Sequence, residues 1–422
     1  MQRIKKLSFI ALSSICFLTT SAHLLYAQDD TEPAQEKKVM LVGNITALGS
    51  YSKICGGSDL SGLYATGNLA PIVKLNSSDY LIPLYNVLYR QQRQIINEEE
   101  GGRVYTKILN HNVSVMHKHL YSEKLTQRLT GFFTLNYNKE TSDESFGDGL
   151  YDYRDYGGFA DYQYKIIKTE TDTGTILFGG KYYFRKYPNF TSLIALALQT
   201  APEEDEKDQH VWGPTTRYTH KFADKLILSI SYDYLHKEFT DKHTIDENGI
   251  LDDGKREDDV HYIKLEGNYK INERLTFNLE GDIELNNSNQ NYYDSMNTPL
   301  FLPDDIFVPH YYDYDFYQVK PGITYLFPLS EEKDITLKVA YAYGFRDYPN
   351  RSIRNNVGLY QEETQEDEIH SGYVSVSVPI TKKLSFLFMG DYTHTESNMD
   401  FEQFYRYNYN IYHLLSGLSY KF

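Results

Sequence analysis

The feature that most constrains the fold of this chain is a set of long segments in which apolar and polar residues alternate. In the clearest segment the apolar positions are Leu275, Phe277, Leu279, Ile283 and Leu285. Segments 226–234 and 335–343 follow the same period. A period of two indicates β-strands whose two faces meet different surroundings. Strands of roughly a dozen residues are too long for a soluble propeller, whose strands hold about five, and they suit a tilted membrane crossing.

The connections between these segments alternate between short and long, which predicts the number of strands. Seven short connections, such as Ala223-Asp224 and Asn272-Glu273, and eight long ones give sixteen strands. An even number places both chain ends on the side of the short turns. Pro71 and Pro83 lie within the second and third predicted strands, where each removes a backbone donor and predicts a bulge. If this N-terminal hairpin lies outside the sheet, the number is fourteen.

The last segment predicts how the sheet closes. Leu418, Tyr420 and Phe422 lie on one face of a strand that ends the sequence, with Ser419 and Lys421 on the other face. An apolar edge strand in water would pair with other chains, whereas a closing strand is paired on both sides. In these features the chain resembles bacterial outer-membrane β-barrel proteins, without matching one particular porin family.

The resemblance implies an all-β fold, a transmembrane antiparallel up-and-down β-barrel of sixteen strands, with fourteen as the alternative. It also implies an outer-membrane location and outer-membrane lipid around the barrel. In such proteins the barrel-assembly machinery reads an aromatic residue at the end of the last strand. Leu418, Tyr420 and Phe422 are therefore the expected assembly signal.

The N-terminal region predicts export rather than a folded unit. Basic residues among the first six precede an apolar core at 7–18, which is too short to span a bilayer. Leu25-Tyr26-Ala27, or alternatively Thr20-Ser21-Ala22, forms a cleavage site. The predicted organisation is a signal peptide at 1–27, an acidic periplasmic linker at 28–38 and the outer-membrane β-barrel at 39–422.

Composition supports this class and excludes others. The chain has 40 Tyr, a residue that populates the interface girdles of transmembrane barrels. The 58 Asp and Glu outnumber the 42 Lys and Arg, for a net charge of −16, which argues against nucleic acid as a partner. Cys55 is the single cysteine beyond the signal peptide, so no internal disulfide is predicted. The sequence predicts no transmembrane helix, because none of its segments reaches about 18 apolar residues.

Charged residues at inward positions of the predicted strands are the first candidates for function. Both signs occur, which suits wall residues that pair with one another and equally suits a wetted channel. A ring of about sixteen strands is too wide for side chains to fill. The candidate pore-lining or rim residues are Lys181, Arg185, Lys264, Glu266, Glu280, Asp282, Glu284, Lys320, Lys338, Arg346 and Asp391.

A six-residue phrase that occurs twice singles out two of these arginines. Phe184-Arg185-Lys186-Tyr187-Pro188-Asn189 recurs as Phe345-Arg346-Asp347-Tyr348-Pro349-Asn350, and Tyr153-Arg154-Asp155-Tyr156 is a weaker third copy. Proline ends each strand and turns the chain into an outer loop. The favoured interpretation is that each arginine binds a carboxylate of an acidic loop and fixes that loop. The alternative is a constriction that contacts anions.

The sequence predicts neither a cofactor nor an active site. The acidic segments 148–155 and 246–254 raise the question of calcium, but the second lacks the glycine position of an EF-hand, and solvated loops are favoured. His370 and Ser371 are neighbours, and neighbours in a strand point to opposite faces, which argues against an enzyme. Nor do we find a Cys/His cluster or a phosphate-binding loop in the sequence.

The function predicted from the sequence is a porin-like outer-membrane channel for passive diffusion of small hydrophilic solutes. The alternative is a barrel whose lumen is plugged by loops and whose long outer loops bind a surface or a secretion partner. Substrate, ion selectivity and oligomeric state, including a homo-oligomer, stay open.

Overall fold

The computed structural model describes residues 39–422, except for 58, 98–100, 142, 170, 192–204, 295–305, 331–332 and 404. The predicted signal peptide and linker lie outside the described residues. Within the described ranges, no helix has the length and hydropathy that crossing a membrane requires.

Sixteen antiparallel strands form one closed barrel, which confirms the predicted fold and strand number. Two further strands, β12 (Tyr292–Asp294) and β13 (Ile306–Val308), form a small separate sheet. The barrel strands are β1 (Val39–Ile54), β2 (Asp59–Lys74), β3 (Asp79–Asn97), β4 (Gly102–Leu120), β5 (Leu125–Lys139), β6 (Tyr153–Lys168), β7 (Asp172–Lys186), β8 (Gln209–Phe222), β9 (Leu226–Ile245), β10 (Leu251–Lys270), β11 (Leu275–Ser288), β14 (Tyr314–Ser330), β15 (Lys333–Arg354), β16 (Tyr360–Pro379), β17 (Leu384–Ser397) and β18 (Tyr409–Lys421).

The closing seam joins the first and last strands. Its register runs from Asn44 opposite Lys421 to Ile54 opposite Ile411. The pairing continues one residue further. Gly43 and Phe422, the residue after β18, form two backbone hydrogen bonds with each other, of 3.2 and 3.1 Å. A Cβ atom on Gly43 would come within 2.7 Å of the Phe422 ring, so this close approach requires glycine. The last strand is thus paired on both sides, as predicted.

Side chains alternate between the outward face and the lumen along the strands. On β18, Leu414, Leu418 and Tyr420 are exposed on the outward face, whereas Ile411 and Leu415 are buried inward. The same division recurs around the ring, where many Leu, Ile, Val, Phe and Tyr side chains are exposed. An outward face of this kind suits a hydrocarbon environment.

The N-terminal hairpin belongs to the barrel, so the fourteen-strand alternative is wrong. The predicted bulge at the prolines is also wrong. The β2–β3 register pairs Leu69 with Tyr85 and resumes at Val73 with Leu81 without a shift. Pro71 and Pro83 therefore face one another in the gap between these pairs. Because both missing donors fall at the same rung of one ladder, the strands lose that rung and keep their register.

The two ends of the barrel differ in the length of their connections. Short turns such as 223–225 lie at one end, and longer connections such as 140–152 lie at the other. We call these the turn end and the loop end. Val39 and Phe422 both lie at the turn end, as the even strand number requires.

Candidate functional site: the lumen and its outer mouth

Paired charges line the middle of the lumen. The Lys181 ammonium lies 3.6 Å from the Asp233 carboxylate, and each side chain is 24% exposed. The Lys320 ammonium lies 3.3 Å from the Glu280 carboxylate on the neighbouring strand, with 34% and 38% of the side chains exposed. Lys338 has inward parity on β15 and is also exposed. Because these residues point into a closed barrel, their exposure places open space in the middle of the lumen.

Three further predicted pore residues lie on the paired strands β10 and β11. Lys264 Nζ is 3.0 Å from a carboxylate oxygen of Glu266 on the same strand. The Tyr262 hydroxyl donates to Asp282 at 2.6 Å. The lysine and the carboxylates of this wall therefore each have a neighbouring polar partner. The wall carries charges of both signs rather than charges of one sign.

At the loop end, the hairpin of β3 and β4 leaves the wall and crosses the lumen. We call its described residues, 92–97 and 101–106, the mouth hairpin. The β3–β4 register shifts just beyond Gln91, which marks a β-bulge, and a bulge bends a strand. Beyond it the Arg93 backbone N–H donates to Ser52 Oγ at 2.8 Å, and His413 Nε2 lies 2.8 Å from the Arg93 carbonyl oxygen. Ser52 and His413 point inward from β1 and β18, so the mouth hairpin lies inside the ring.

Asp391 takes part in the same contact. Its Oδ1 lies 2.7 Å from Nδ1 of His413, whose other ring nitrogen faces the mouth hairpin. This predicted pore residue therefore orients the wall histidine that contacts the hairpin backbone.

Consecutive residues of the mouth hairpin contact different sides of the mouth. Ile95 belongs to a buried cluster that includes Phe316 and Tyr348 of β14 and β15. Ile96 belongs to a second buried cluster with Tyr151, at the base of the β5–β6 loop. Neighbouring strand residues point in opposite directions, which explains how one hairpin contacts two walls. The loop end of the lumen is therefore filled where the middle is open.

The group on the Ile96 side is what we call the Arg185 unit. Arg185 Nε and Nη2 donate to the two carboxylate oxygens of Asp155 at 2.7 and 2.8 Å. The guanidinium carbon of Arg185 lies 4.1 Å from the centre of the Tyr153 ring. The Asn189 amide donates to the backbone of the β5–β6 loop at 3.2 Å. The unit consists of Asp152, Tyr153, Asp155, Arg185 and Asn189.

The group on the Ile95 side repeats this arrangement, and we call it the Arg346 unit. It consists of Asp313, Tyr314, Phe316, Arg346 and Asn350, each of which follows its counterpart by the same 161 positions, as from Arg185 to Arg346. The guanidinium carbon of Arg346 lies 5.0 Å from the centre of the Tyr314 ring. The Asn350 amide donates to the backbone of the β11–β14 loop at 3.4 Å. The two units lie six strands apart in the ring.

The two units differ in the residue that faces the arginine on the neighbouring strand. Asp155 faces Arg185 across the β6–β7 pair, and Phe316 faces Arg346 across the β14–β15 pair. The carboxylate contact predicted for both arginines is therefore present at Arg185, where the partner belongs to β6 rather than to a loop, and is not found at Arg346 among the described residues. Within the described ranges, Nε and Nη2 of Arg346 have no hydrogen-bond partner, although the residue is only 1% exposed. Its Nη1 is 3.4 Å from the Tyr348 hydroxyl oxygen.

Two buried carboxylates lie in the same row as Arg346. Asp367 of β16 faces Arg346 directly. Glu284 of β11 faces Phe316 on the other side and accepts a hydrogen bond from the Tyr314 hydroxyl. Glu284, a predicted pore residue, is therefore in direct contact with this unit.

Polar side chains, mostly carboxylates, also close the bases of the long connections at the loop end. Asp152, directly before β6, accepts the backbone N–H of Asn138 at 2.6 Å. Asp208, directly before β8, accepts that of Tyr187 at 2.6 Å. The Asp313 carboxylate before β14 and the side-chain amide oxygen of Asn408 before β18 accept backbone N–H groups in the same way. Burial raises the pKa of Asp152 to about 6 and that of Asp208 to about 6. These side chains hold the end of one strand to the start of the next strand in the barrel.

A second short repeat in the sequence also indicates the two arginine units. Tyr151-Asp152-Tyr153 recurs as Tyr312-Asp313-Tyr314, at the same interval as the two arginine phrases. The two halves of each unit could therefore have been paired from the sequence. The mouth hairpin carries no comparable signal.

The tip of the β9–β10 hairpin uses its acidic residue for its own turn. Asp246 Oδ1 accepts the backbone N–H groups of Asn248 and Ile250 at 2.9 and 2.8 Å. These contacts lower the pKa of Asp246, with the Ile250 N–H as the main cause. Over the residues that the structure describes, no group of three or more His, Cys, Asp or Glu side chains could hold a metal ion.

Comparisons with known proteins return similar folds. No family model and no curated protein matches the chain. A loop-deletion mutant of OmpT, an outer membrane protein of Vibrio cholerae, is 12% identical over 92% of this chain and 100% of that chain, with a TM-score of 0.42. An anion-selective porin from Comamonas acidovorans is 11% identical over 91% and 99%, with a TM-score of 0.44. The Pseudomonas putida toluene transporter TodX is 10% identical over 92% and 90%, with a TM-score of 0.37.

Proposed function

We propose that this protein is an outer-membrane channel for small hydrophilic solutes, and that the mouth hairpin limits its flux. The observation that carries the proposal is a contrast within one lumen. Inward charges in the middle, such as Lys320 and Glu280, are about one third exposed. Inward side chains at the loop end, such as Phe316, are buried in the cluster that holds Ile95.

The outward face and the closed sheet support the outer-membrane location. A barrel without free edges satisfies its backbone hydrogen bonds internally, which a membrane demands. The exposed apolar residues of the outward face would be costly in water and are stable in lipid.

The charge pattern of the lumen supports passage of small hydrophilic solutes. Paired charges of both signs keep the wall wet without a strong preference for one ion. A sixteen-stranded ring leaves an aqueous path unless a segment folds into it. The mouth hairpin is such a segment, so we expect it to set the size of solute that passes.

Single-channel conductance of the protein in planar bilayers tests this proposal. One variant replaces residues 92–106 with Asn-Gly, which joins the facing residues Gln91 and Lys107 by a two-residue turn. The control variant replaces residues 244–254 with Asn-Gly, which joins the facing residues His243 and Lys255 at an outer tip. We expect stepwise openings in the wild type and in the control, and larger, longer openings in the variant without the mouth hairpin.

Equal conductance in all three proteins would contradict a limiting role of the mouth hairpin. A silent wild type beside a conducting hairpin variant would favour the second candidate, a plugged barrel whose outer loops bind a partner. The filled loop end is the observation that supports this second candidate. Silence of all three proteins would contradict the channel.

A further inference from the structure

Nε and Nη2 of Arg346, which have no hydrogen-bond partner among the described residues, point to a ligand site at the loop end of the lumen. We propose that Arg346 binds the carboxylate of an amino-acid-like zwitterion, and that Asp367 faces the ammonium group of the same ligand. The proposal rests on the proposed channel function, because it names the class of solute that the channel takes up.

The Arg185 unit shows what the Arg346 atoms are built to hold. In the Arg185 unit, Nε and Nη2 bind both oxygens of the Asp155 carboxylate. In the Arg346 unit the same two nitrogens have no partner among the described residues. Parallel binding of a carboxylate by these two groups is the strongest contact that arginine makes. Phe316 replaces the internal carboxylate with a ring whose centre lies 5.2 Å from the guanidinium carbon, so a carboxylate from outside would supply the acceptor that Nε and Nη2 lack.

Because Arg346 is buried, the missing hydrogen-bond partners of Nε and Nη2 lower the stability of the folded protein. Arg346 is 1% exposed, and a buried donor without a partner loses its hydration without replacement. An unpaired, buried donor pair is the arrangement expected of a site that is completed by a ligand.

Two carboxylates near Arg346 distinguish a zwitterion from a simple acid. Asp367 faces Arg346 on β16, and Glu284 lies two strands away on β11. A ligand with a carboxylate alone meets one positive and two negative side chains. A ligand that also carries an ammonium group complements both signs. The rings of Tyr314 and Tyr348, with centres 5.0 and 6.0 Å from the guanidinium carbon, offer contact for an apolar or aromatic side chain.

The mouth hairpin covers this site. Ile95 lies in the buried cluster that contains Tyr314, Phe316 and Tyr348. Ligand and hairpin therefore compete for the same surface, and the apparent affinity of the intact protein is reduced by the fraction of molecules whose site is covered. Removing the hairpin should strengthen binding.

Calorimetry with three probes tests the proposal on the folded protein in detergent at pH 7. The probes are L-phenylalanine, 3-phenylpropanoate, which lacks the ammonium group, and phenethylamine, which lacks the carboxylate. We expect L-phenylalanine to bind most tightly and phenethylamine most weakly, and all binding to strengthen in the variant lacking residues 92–106. Phenethylamine binding as well as L-phenylalanine, or no binding by the hairpin variant, would overturn the proposal.

Substitutions at the two units provide matched controls. Phe316→Asp gives Arg346 the carboxylate that Arg185 has, and should weaken L-phenylalanine binding by at least about tenfold while the barrel folds. Asp155→Asn changes one charge in the Arg185 unit and should leave binding unchanged. Unchanged binding in Phe316→Asp, or an equal loss in Asp155→Asn, would refute the assignment.

The binding measurement does not depend on conduction. A protein that binds L-phenylalanine as predicted but never conducts would refute the channel and retain the site. A protein that conducts but does not bind any probe would retain the channel and refute the site.

Discussion

Removing Asp155 should destabilise the barrel far more than removing a carboxylate at its surface. Asp155 and Arg185 form a two-bond contact in which each side chain is only 9% exposed. Asp155→Ala leaves the guanidinium of Arg185 buried without its carboxylate. Glu123→Ala, the control, removes a partner of Lys168 from a pair in which the side chains are 84% and 52% exposed.

The magnitude follows from burial. Breaking a buried ion pair by removing one partner costs about 3–5 kcal/mol. Arg185 keeps its contact with the Tyr153 ring, with the guanidinium carbon 4.1 Å from the ring centre, so the lower end applies and we expect about 3 kcal/mol. Exposed pairs contribute at most about 1 kcal/mol, so Glu123→Ala should cost less than that.

Urea unfolding in detergent, followed by the gel shift between folded and unfolded barrel, measures both variants. The double variant Asp155→Ala/Arg185→Ala completes a cycle and should be less destabilised than the sum of its two single changes. A cost for Asp155→Ala no greater than that for Glu123→Ala would show that this contact does not hold the loop end.

Three further predictions concern the ends and loops of the chain. Deleting Phe422, which pairs with Gly43 at the closing seam, should lower the fraction of heat-modifiable, folded barrel in membranes; an unchanged fraction would show that the last residue is dispensable for assembly. A tag within 246–250 should be reached by antibody on intact cells and a tag at 272–273 should not; the reverse result would invert the orientation. The pKa of Asp152 is raised from 3.8 to about 6, so its stabilising contribution is full below about pH 4 and is lost as the pH rises through about 6. Asp152→Asn should remove this part of the loss in urea midpoint between pH 4 and pH 7, and an identical profile in both proteins would contradict the assignment.

The wall of the barrel could be predicted because its causes are local. Alternation along segments such as 275–285 reflects the two surroundings of one strand, and the connections between segments give the strand number. Strand parity also placed Arg185 and Arg346 on the inward face. Pro71 and Pro83 misled the prediction because their effect depends on what faces them, and the sequence alone does not tell that they face each other.

The mouth hairpin could not be predicted, because its contacts are made across the ring. Residues 92–96 read Gln-Arg-Gln-Ile-Ile, a pattern that does not separate a wall strand from a strand inside the lumen. Ile95 meets side chains of β14 and β15 only after the barrel has closed. The missing partner of Arg346 was hidden for a related reason, since Phe316 faces it only through the register of two strands.

With the proposed outer-membrane location and the loop end outward, the closed bases of the long loops have a consequence for how the exposed surface can vary. Asp152 and Asp208 join strand to strand below the loop tips, so these contacts do not depend on the sequence of the tips. Lengthening a segment whose ends are already fixed costs only chain entropy, about 0.6 kcal/mol for each doubling. An inserted epitope, or a tip altered to escape an antibody or a phage, would leave the wall beneath it intact. Recognition from outside and folding can therefore diverge in sequence independently of each other.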